Sequence, residues 1–253
     1  MQQASAADWS DTSIGYRYGT KFAEPFNTKD IDKHIINFTH VSGYQYGSNF
    51  FNVDLLNSDG NDSSAQEAYV TYRHSLDLGK VTGKDFKFGP VRGLGVTAGF
   101  DWNTKNDPGY GSKKHMVVVG PTLMVDVPGF LNISLLALWE SNQPSAIKSR
   151  YSYDTHAMLT AAWGIPIAKT GLSFEGYMNY ISAKGKDEFG NGTSPETNFD
   201  GQIMYDLSGA VGMKQNTFRV GLEYQYWRNK FGNQHKIPGT LAKTPMIRAE
   251  YHF

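Results

Sequence analysis

The chain has 253 residues, with 24 basic and 24 acidic side chains and therefore no formal net charge. The lack of cysteine excludes disulfides and thiolate metal sites, and the balanced charge excludes a strong overall field that would recruit nucleic acid. The 27 glycines, 15 tyrosines, 15 phenylalanines and 5 tryptophans favour strands and tight turns over helices. The composition therefore predicts an all-β fold.

Two features of the sequence indicate where in the cell the protein is located. No run approaches the ~18 apolar residues of a membrane-spanning helix, so any membrane insertion has to use strands. Ala4, Ser5 and Ala6 have the small-x-small form of a signal-peptide cleavage site, and the lack of cysteine suits the bacterial envelope. These features predict an exported protein in which residues 1–7 are disordered or the remnant of a leader.

Twelve strands are predicted from stretches in which apolar and polar residues alternate. In chain order they lie near residues 9–18, 33–43, 48–57, 65–75, 91–102, 115–126, 130–140, 155–165, 171–181, 197–207, 217–227 and 245–253. The clearest is VRGLGVTAGFDW (residues 91–102), where Leu94, Val96, Ala98 and Phe100 share one side and glycine, threonine and aspartate occupy the other. In residues 33–43, by contrast, either face can be assigned outward.

Alternation alone fits a soluble β-sandwich as well as a membrane β-barrel, but three further details favour the barrel. Charged residues and glycines occupy the polar faces, as a water-filled lumen requires. Long polar segments such as 141–154 and 182–197 are interleaved with short turns such as 127–129 and 166–170. Aromatic residues lie near the ends of the apolar faces, where a bilayer has its interfaces: Trp102, Trp139, Trp163, Tyr180, Tyr226, Tyr251 and Phe253.

The sequence therefore predicts one domain, residues 1–253, folded as a transmembrane antiparallel up-and-down β-barrel of about 12 strands in the bacterial outer membrane. Such barrels have short periplasmic turns and long extracellular loops, and an even number of strands places both termini on the periplasmic side. Residues 76–90 are long for a periplasmic turn.

Three segments resemble the Tsx family of nucleoside-specific channel-forming outer-membrane proteins. They are FTHVSGYQYGSNFFNVD (residues 38–54), FGPVRGLGVTAGFD (residues 88–101) and the terminal MIRAEYHF (residues 246–253), and YG-x-NFF-x-VD (residues 46–54) is the most specific element. The resemblance implies a narrow, monomeric barrel of roughly twelve strands whose polar and aromatic lumen binds nucleosides at weak successive sites. It implies the fold more strongly than the substrate.

A nucleoside offers a flat π-face, sugar hydroxyls and base edges, so a selective channel needs aromatic platforms beside carboxylates, amides and arginines. The polar faces of the predicted strands supply these groups. The candidate solute-binding residues are Asn52, Asp54, Glu67, Tyr69, Arg73, Asp101, Glu175, Tyr177, Asn179, Asp200, Arg219, Glu223, Trp227 and Arg248, with Arg17 and Gln202 on the same face. The competing interpretation is that these charges pair across strands, as Arg248 and Glu223 would in the expected register.

The remaining residues with reactive or charged side chains do not indicate a catalytic site or a metal site. The histidines are dispersed and lack a ligand spacing such as H-E-x-x-H, so girdle or loop positions are expected, and no metal or other cofactor is predicted. No G-x-S-x-G element supports a hydrolase, and the protein is not expected to be an enzyme. Lys113, Lys114, Lys184, Lys186 and Lys236 are expected on solvated loops, where contact with lipopolysaccharide phosphates is a lesser alternative.

The function predicted from the sequence is a passive outer-membrane channel for small solutes, with nucleosides as the first candidates. Three alternatives remain open: a channel for another small aromatic solute, a plugged barrel that acts as a surface receptor or adhesin, and a catalytic site at the rim. The expected partners are the solute, outer-membrane lipid and lipopolysaccharide, and the barrel assembly machinery through the terminal Phe253. No nucleic acid is expected, and the barrel is expected to be a monomer.

Overall fold

Twelve long antiparallel strands form the computed structural model of the protein, which describes residues 7–253. With the two-residue strand β8, they are β1 (Trp9–Phe22), β2 (Ile31–Tyr44), β3 (Gly47–Ser58), β4 (Gln66–Asp77), β5 (Val91–Lys105), β6 (Lys113–Val125), β7 (Phe130–Asn142), β8 (Tyr151–Ser152), β9 (His156–Ile167), β10 (Leu172–Ile181), β11 (Glu196–Asp206), β12 (Phe218–Arg228) and β13 (Leu241–His252). Each predicted strand corresponds to one long strand, so the predicted number is confirmed. The predicted cleavage site at Ala4, Ser5 and Ala6 lies outside the described residues.

Pairing between the first and the final strand closes the sheet into a barrel. Consecutive long strands pair along the chain, and β1 pairs with β13 with Arg17 opposite Arg248. The short β8 pairs with the end of β7, whose remaining length pairs with β9. Because closure pairs the backbone groups along both edges, the sheet meets the condition for a strand-built membrane protein.

The two ends of the barrel carry different connections. One end, here called the loop end, carries residues 23–30, 59–65, 106–112, 143–155, 182–195 and 229–240. The other, the turn end, carries tight turns at residues 45–46, 126–129 and 168–171, the start of β1 and the end of β13. Two turn-end connections are longer: residues 78–90, which include α1 (Leu78–Thr82), and residues 207–217. In the described part of the chain, no helix is long and apolar enough to cross a membrane.

The apolar side of each alternating strand faces outward. Leu135, Leu222 and Ile247 are 57%, 69% and 57% exposed, although each lies well inside its strand. Soluble sheets bury such side chains against a second layer, whereas here the barrel has a single layer and hydrocarbon is the remaining partner. The predicted assignment of faces is therefore confirmed for these strands.

One predicted girdle residue departs from this pattern. Trp163 is only 7% exposed, because its ring packs beside Phe174 and Phe199 with centroids 5.3 and 5.8 Å away. Two glycines make room for it: Gly176 lies directly opposite Trp163 on β10, and Gly201 lies opposite Gly176 on β11. Trp163 therefore fills a depression in the outer wall.

The lumen is less polar than the sequence predicted. Met116, Val118, Leu136, Leu138 and Met158 share the inward face of β6, β7 and β9 and form a buried cluster with Ile181. The prediction of a polar and aromatic lumen is wrong for this wall. On β7 the run Leu135–Leu138 is apolar on both faces, so alternation could not distinguish them.

Candidate functional site

All fourteen predicted solute-binding residues face the lumen. Residues directly opposite each other on neighbouring strands share a face, and the register links Asp54 to Tyr69 and Tyr177 to Asp200. The same pairing links Glu223 to Gln202 and, through Met246 and Gly19, to the inward face of β1. The predicted lumen face is thus correct in position, while its role in binding stays a prediction.

An arginine on β1 connects carboxylates from two sides of the lumen. Arg17 Nη2 lies 2.6 Å from Asp54 Oδ1, and Arg17 Nη1 lies 3.1 Å from Glu223 Oε1. Asp54 is on β3 and Glu223 on β12, so neither is on a strand adjacent to β1. Arg248 Nη1 lies 2.7 Å from the other oxygen of Glu223, as the sequence predicted.

The ion pairs continue from the middle of the lumen to the turn end. Arg248 Nη2 lies 2.6 Å from Glu250 Oε1, and Arg219 Nη1 lies 3.5 Å from Glu250 Oε2. Arg219 also pairs with Glu175, which accepts a hydrogen bond from Gln202. On the opposite wall, Arg73 donates to both oxygens of Asp101 at 2.7 and 3.0 Å. Every predicted lumen arginine therefore has a carboxylate partner, which supports the interpretation that these charges are structural.

Two tyrosines lie among these ion-paired arginines and carboxylates. Tyr69 on β4 and Tyr177 on β10 face inward from well-separated strands, and both are half-buried. Within residues 7–253, neither phenol hydroxyl has a side-chain or backbone hydrogen-bond partner. Each ring combines a π-face with a polar hydroxyl tip.

Two predicted site residues belong to the loop end instead of the middle of the lumen. Glu67 is the second residue of β4 and approaches Lys33 Nζ at 3.9 Å. Trp227 lies one residue before the end of β12, and its indole N–H donates to Glu196 at 3.0 Å. They are inward-facing, but they lie at the mouth of the barrel.

Sequence reasoning missed a lysine cluster around Glu24 at the loop end. Glu24 Oε1 lies 2.8 Å from Lys33 Nζ, 3.1 Å from Lys230 Nζ and 3.7 Å from Lys105 Nζ, and Asp62 lies 2.9 Å from Lys105. The alternation on β2 and β5 could have placed Lys33 and Lys105 inward. Glu24 and Lys230 come from connecting segments that carry no such signal.

A second missed cluster surrounds Glu140. Lys184 Nζ lies 2.8 and 2.9 Å from its two oxygens, Lys114 Nζ lies 2.9 Å away, and His156 Nε2 lies 3.8 Å away. The side chain of Lys184 is 1% exposed. The expectation that Lys114 and Lys184 are solvated loop residues is therefore wrong, and the expectation of a girdle or loop position is wrong for His156 and for His252, which contacts Glu250 in the lumen.

The Glu24 cluster predicts a specific dependence of stability on pH. Burial alone would raise the pKa of Glu24, but the ammonium groups of Lys230, Lys33 and Lys105 outweigh it and hold the pKa well below its usual range. Its contribution to stability is complete above the unfolded-state pKa of about 4.3 and is lost as the pH falls below that value. We expect Glu24→Gln to unfold at a lower temperature than the parent at neutral pH, and the difference to shrink below about pH 4.

Thermal unfolding in detergent at several pH values measures this difference. Asp30→Asn, an exposed position in the same connection, is the control and should leave the unfolding temperature unchanged throughout. A difference for Glu24→Gln that is constant from neutral pH down to about pH 3 would contradict the role assigned to the carboxylate.

A closed twelve-strand antiparallel barrel with an apolar outer face and a charged lumen defines this protein as a porin-like β-barrel of the bacterial outer membrane. In sequence it is similar to the outer membrane protein OmpK of Vibrio parahaemolyticus, with 27% identity over 226 residues that cover 82% of this chain and 80% of the relative. In structure it is similar to the NanC porin, with a TM-score of 0.51 and 11% identity over 96% of this chain and 99% of that one. The KdgM porin has a TM-score of 0.45 and 11% identity over 95% and 99%. No protein-family model matches the chain.

Proposed function

We propose that this protein is a passive channel, without a catalytic step, that conducts small uncharged or weakly charged solutes across the outer membrane, and that nucleosides are its preferred solutes. The observation that carries the proposal is the presence of Tyr69 and Tyr177 in the lumen, half-buried among ion-paired charges. Within the described residues, neither hydroxyl has a hydrogen-bond partner. Any nucleobase can stack on such a ring, because every base has a π-face. The motif at residues 46–54 adds the resemblance to nucleoside channels.

Charge pairing supports neutral solutes over nucleotides. Arg17, Arg73, Arg219 and Arg248 each lie against a carboxylate, so these four lumen arginines offer no unpaired guanidinium to trap a phosphate. Several weak stacking positions also suit conduction, because a solute has to leave each site as readily as it binds. Movement then follows the concentration gradient.

Planar-bilayer recordings on the purified barrel test the proposal. Nucleosides, nucleotides, hexoses and aromatic acids are added in turn, and block of the ion current is measured. Block by nucleosides alone supports the proposal, whereas equal block by other aromatic compounds assigns the channel to a different aromatic solute.

Tyr177→Ala tests the stacking role directly. Stacking of one base on an aromatic side chain contributes about 1–3 kcal/mol, so we expect the nucleoside concentration for half-maximal block to rise roughly 5- to 150-fold. Tyr177→Phe keeps the ring and should retain most of the affinity. Tyr224→Ala is the matched control, because Tyr224 faces outward and is 42% exposed.

The pair Tyr177→Ala and Glu175→Gln extends this test. Glu175 pairs with Arg219, which also lies 3.5 Å from Glu250, so neutralising Glu175 leaves this guanidinium with one carboxylate fewer, and we expect nucleotides to block more strongly in that variant. If nucleoside block survives both substitutions unchanged, this part of the lumen does not bind the solute.

A second candidate function is a plugged barrel that serves as a surface receptor. One observation favours it: residues from the β12–β13 connection lie across the mouth, and Lys230 among them is only 4% exposed. Absence of current in every recording, with the barrel correctly folded, would favour this candidate over the channel.

A further inference from the structure

A short segment of the β12–β13 connection enters the mouth of the barrel. We call residues 229–233 the strap; they include the 3-10 turn Lys230–Gly232. Lys230 and Gly232 are buried although they belong to a connection whose residues Gln234, His235 and Lys236 are exposed. The strap is therefore inside the mouth, while residues 234–236 are outside it.

One side of the strap is fastened by Lys230. Its ammonium group lies 3.1 Å from Glu24 Oε1 and donates to the carbonyl of Ala23 at 2.7 Å, both in the β1–β2 connection. The same nitrogen lies 5.0 Å from the centre of the Trp227 ring. The contacts of Lys230 thus join the strap to the adjacent loop and to the inner wall.

The other side is fastened by Phe231 and Gly232. The Phe231 N–H donates to Glu196 Oε2 at 3.1 Å, and the carbonyl of Gly232 accepts from the Ser194 N–H at 2.8 Å. The strap is therefore attached to the connections on both of its sides.

The Phe231 ring reaches across the lumen. Lys114 Nζ lies 5.0 Å from the ring centre, and Lys114 is on β6, whereas the strap follows β12. Four long strands separate β6 from β12 around one side of the barrel and six around the other. The ring also packs edge-on against Trp227, with centroids 4.9 Å apart. The ring therefore lies between side chains that come from nearly opposite strands, and it narrows the mouth.

The backbone of the strap is held in an unfavourable conformation. Asn229 has φ 53° and Phe231 has φ 61°, the left-handed region, which costs a bulky residue about 1–2 kcal/mol. Such outliers persist only where surrounding contacts impose them, and they concentrate at switch regions. Release of the contacts at Lys230 and Phe231 would relieve this strain.

We propose that the strap is the loop-end gate of the barrel, in which Phe231 blocks the mouth and the ion pair between Lys230 and Glu24 is the latch. The proposal rests on the channel function proposed above. Solutes pass when the latch opens and Phe231 leaves the contact with Lys114. The aromatic surfaces of Phe231 and Trp227 then make this gate more permissive to flat ring solutes than to hexoses of similar size.

Three variants test the gate in planar bilayers. Phe231→Ala removes the obstruction. Lys230→Met breaks the latch from the β12–β13 connection, and Glu24→Gln breaks it from the β1–β2 connection. We expect each to raise the ion current several-fold over the parent and Phe231→Ala to reduce the preference for nucleosides over hexoses. Folding is checked for each variant by the heat-dependent gel shift of closed barrels.

Two matched controls lie on exposed loop positions. Phe189 is 58% exposed in the β10–β11 connection, and Lys236 is exposed in the same connection as the strap. Phe189→Ala and Lys236→Met should leave the current unchanged.

The outcomes separate the gate from the channel. Current that rises in the three variants and not in the controls supports the gate. A parent current as large as that of the folded variants overturns the gate and leaves the channel function standing. If no variant conducts, the channel function fails together with the gate, and the receptor remains.

Discussion

Replacing Glu223 with alanine is expected to lower the free energy of unfolding by about 3–5 kcal/mol. The Glu223 side chain is fully buried, and its two oxygens lie 3.1 Å from Arg17 and 2.7 Å from Arg248. Its removal leaves Arg17 with Asp54 and Arg248 with Glu250, but each guanidinium then has one carboxylate fewer in a buried site. The loss of one partner from a buried ion pair is costly because the remaining charge stays desolvated.

Urea-induced unfolding in lipid vesicles, followed by tryptophan fluorescence, measures this effect. Asp85→Ala, an exposed carboxylate in the β4–β5 connection, is the control and should change stability by less than about 0.5 kcal/mol. The triple variant Arg17→Met, Glu223→Leu, Arg248→Met removes all three charges and should recover much of the loss, because an apolar replacement avoids desolvation. A Glu223→Ala variant as stable as the parent would show that water already screens these arginines.

Replacing the preceding residue, Leu222, with arginine is expected to cost about 2–4 kcal/mol for an entirely different reason. Leu222 faces outward in the middle of β12 and is 69% exposed, so its partner is hydrocarbon, which cannot solvate a guanidinium. Position 222 thus requires an apolar side chain and position 223 a charged one. The two substitutions together test which face of β12 points to lipid and which to the lumen.

The same unfolding measurement applies to Leu222→Arg. Phe26→Arg introduces the same side chain at a loop-end position that is 74% exposed and should be nearly neutral. If both arginines cost the same small amount, β12 does not present Leu222 to lipid, and the inward assignment of Glu223 and Trp227 on the same strand becomes doubtful.

The fold was predictable from the sequence because each strand meets two different solvents. Residues 93–102 carry an apolar side and a polar or glycine side without exception, and the structure places Leu94 outward and Thr97 inward. The signal disappears where the lumen itself is apolar, as at Leu136 and Leu138 on β7. There the inward side chains contact one another instead of water, so both faces have the same composition.

The candidate site was predictable only within neighbouring strands. The pair of Arg248 and Glu223 follows from the antiparallel register of β12 and β13. The contact between Arg17 and Asp54 skips a strand, and that between Lys184 and Glu140 joins a connection to a strand 44 positions away in sequence. Such contacts depend on the tilt and closure of the barrel, which alternation does not encode.

The pairing of β1 with β13 also affects how the barrel folds and closes. Gly15 pairs with Glu250 and Thr12 accepts a hydrogen bond from the Phe253 N–H, so the seam joins the two most distant parts of the chain. Contacts of such long sequence separation carry the largest loop-closure entropy and form slowly. Until this seam forms, the open edges of β1 and β13 and the apolar outer face are exposed together, so the chain is most vulnerable to wrong pairing before β1 meets β13.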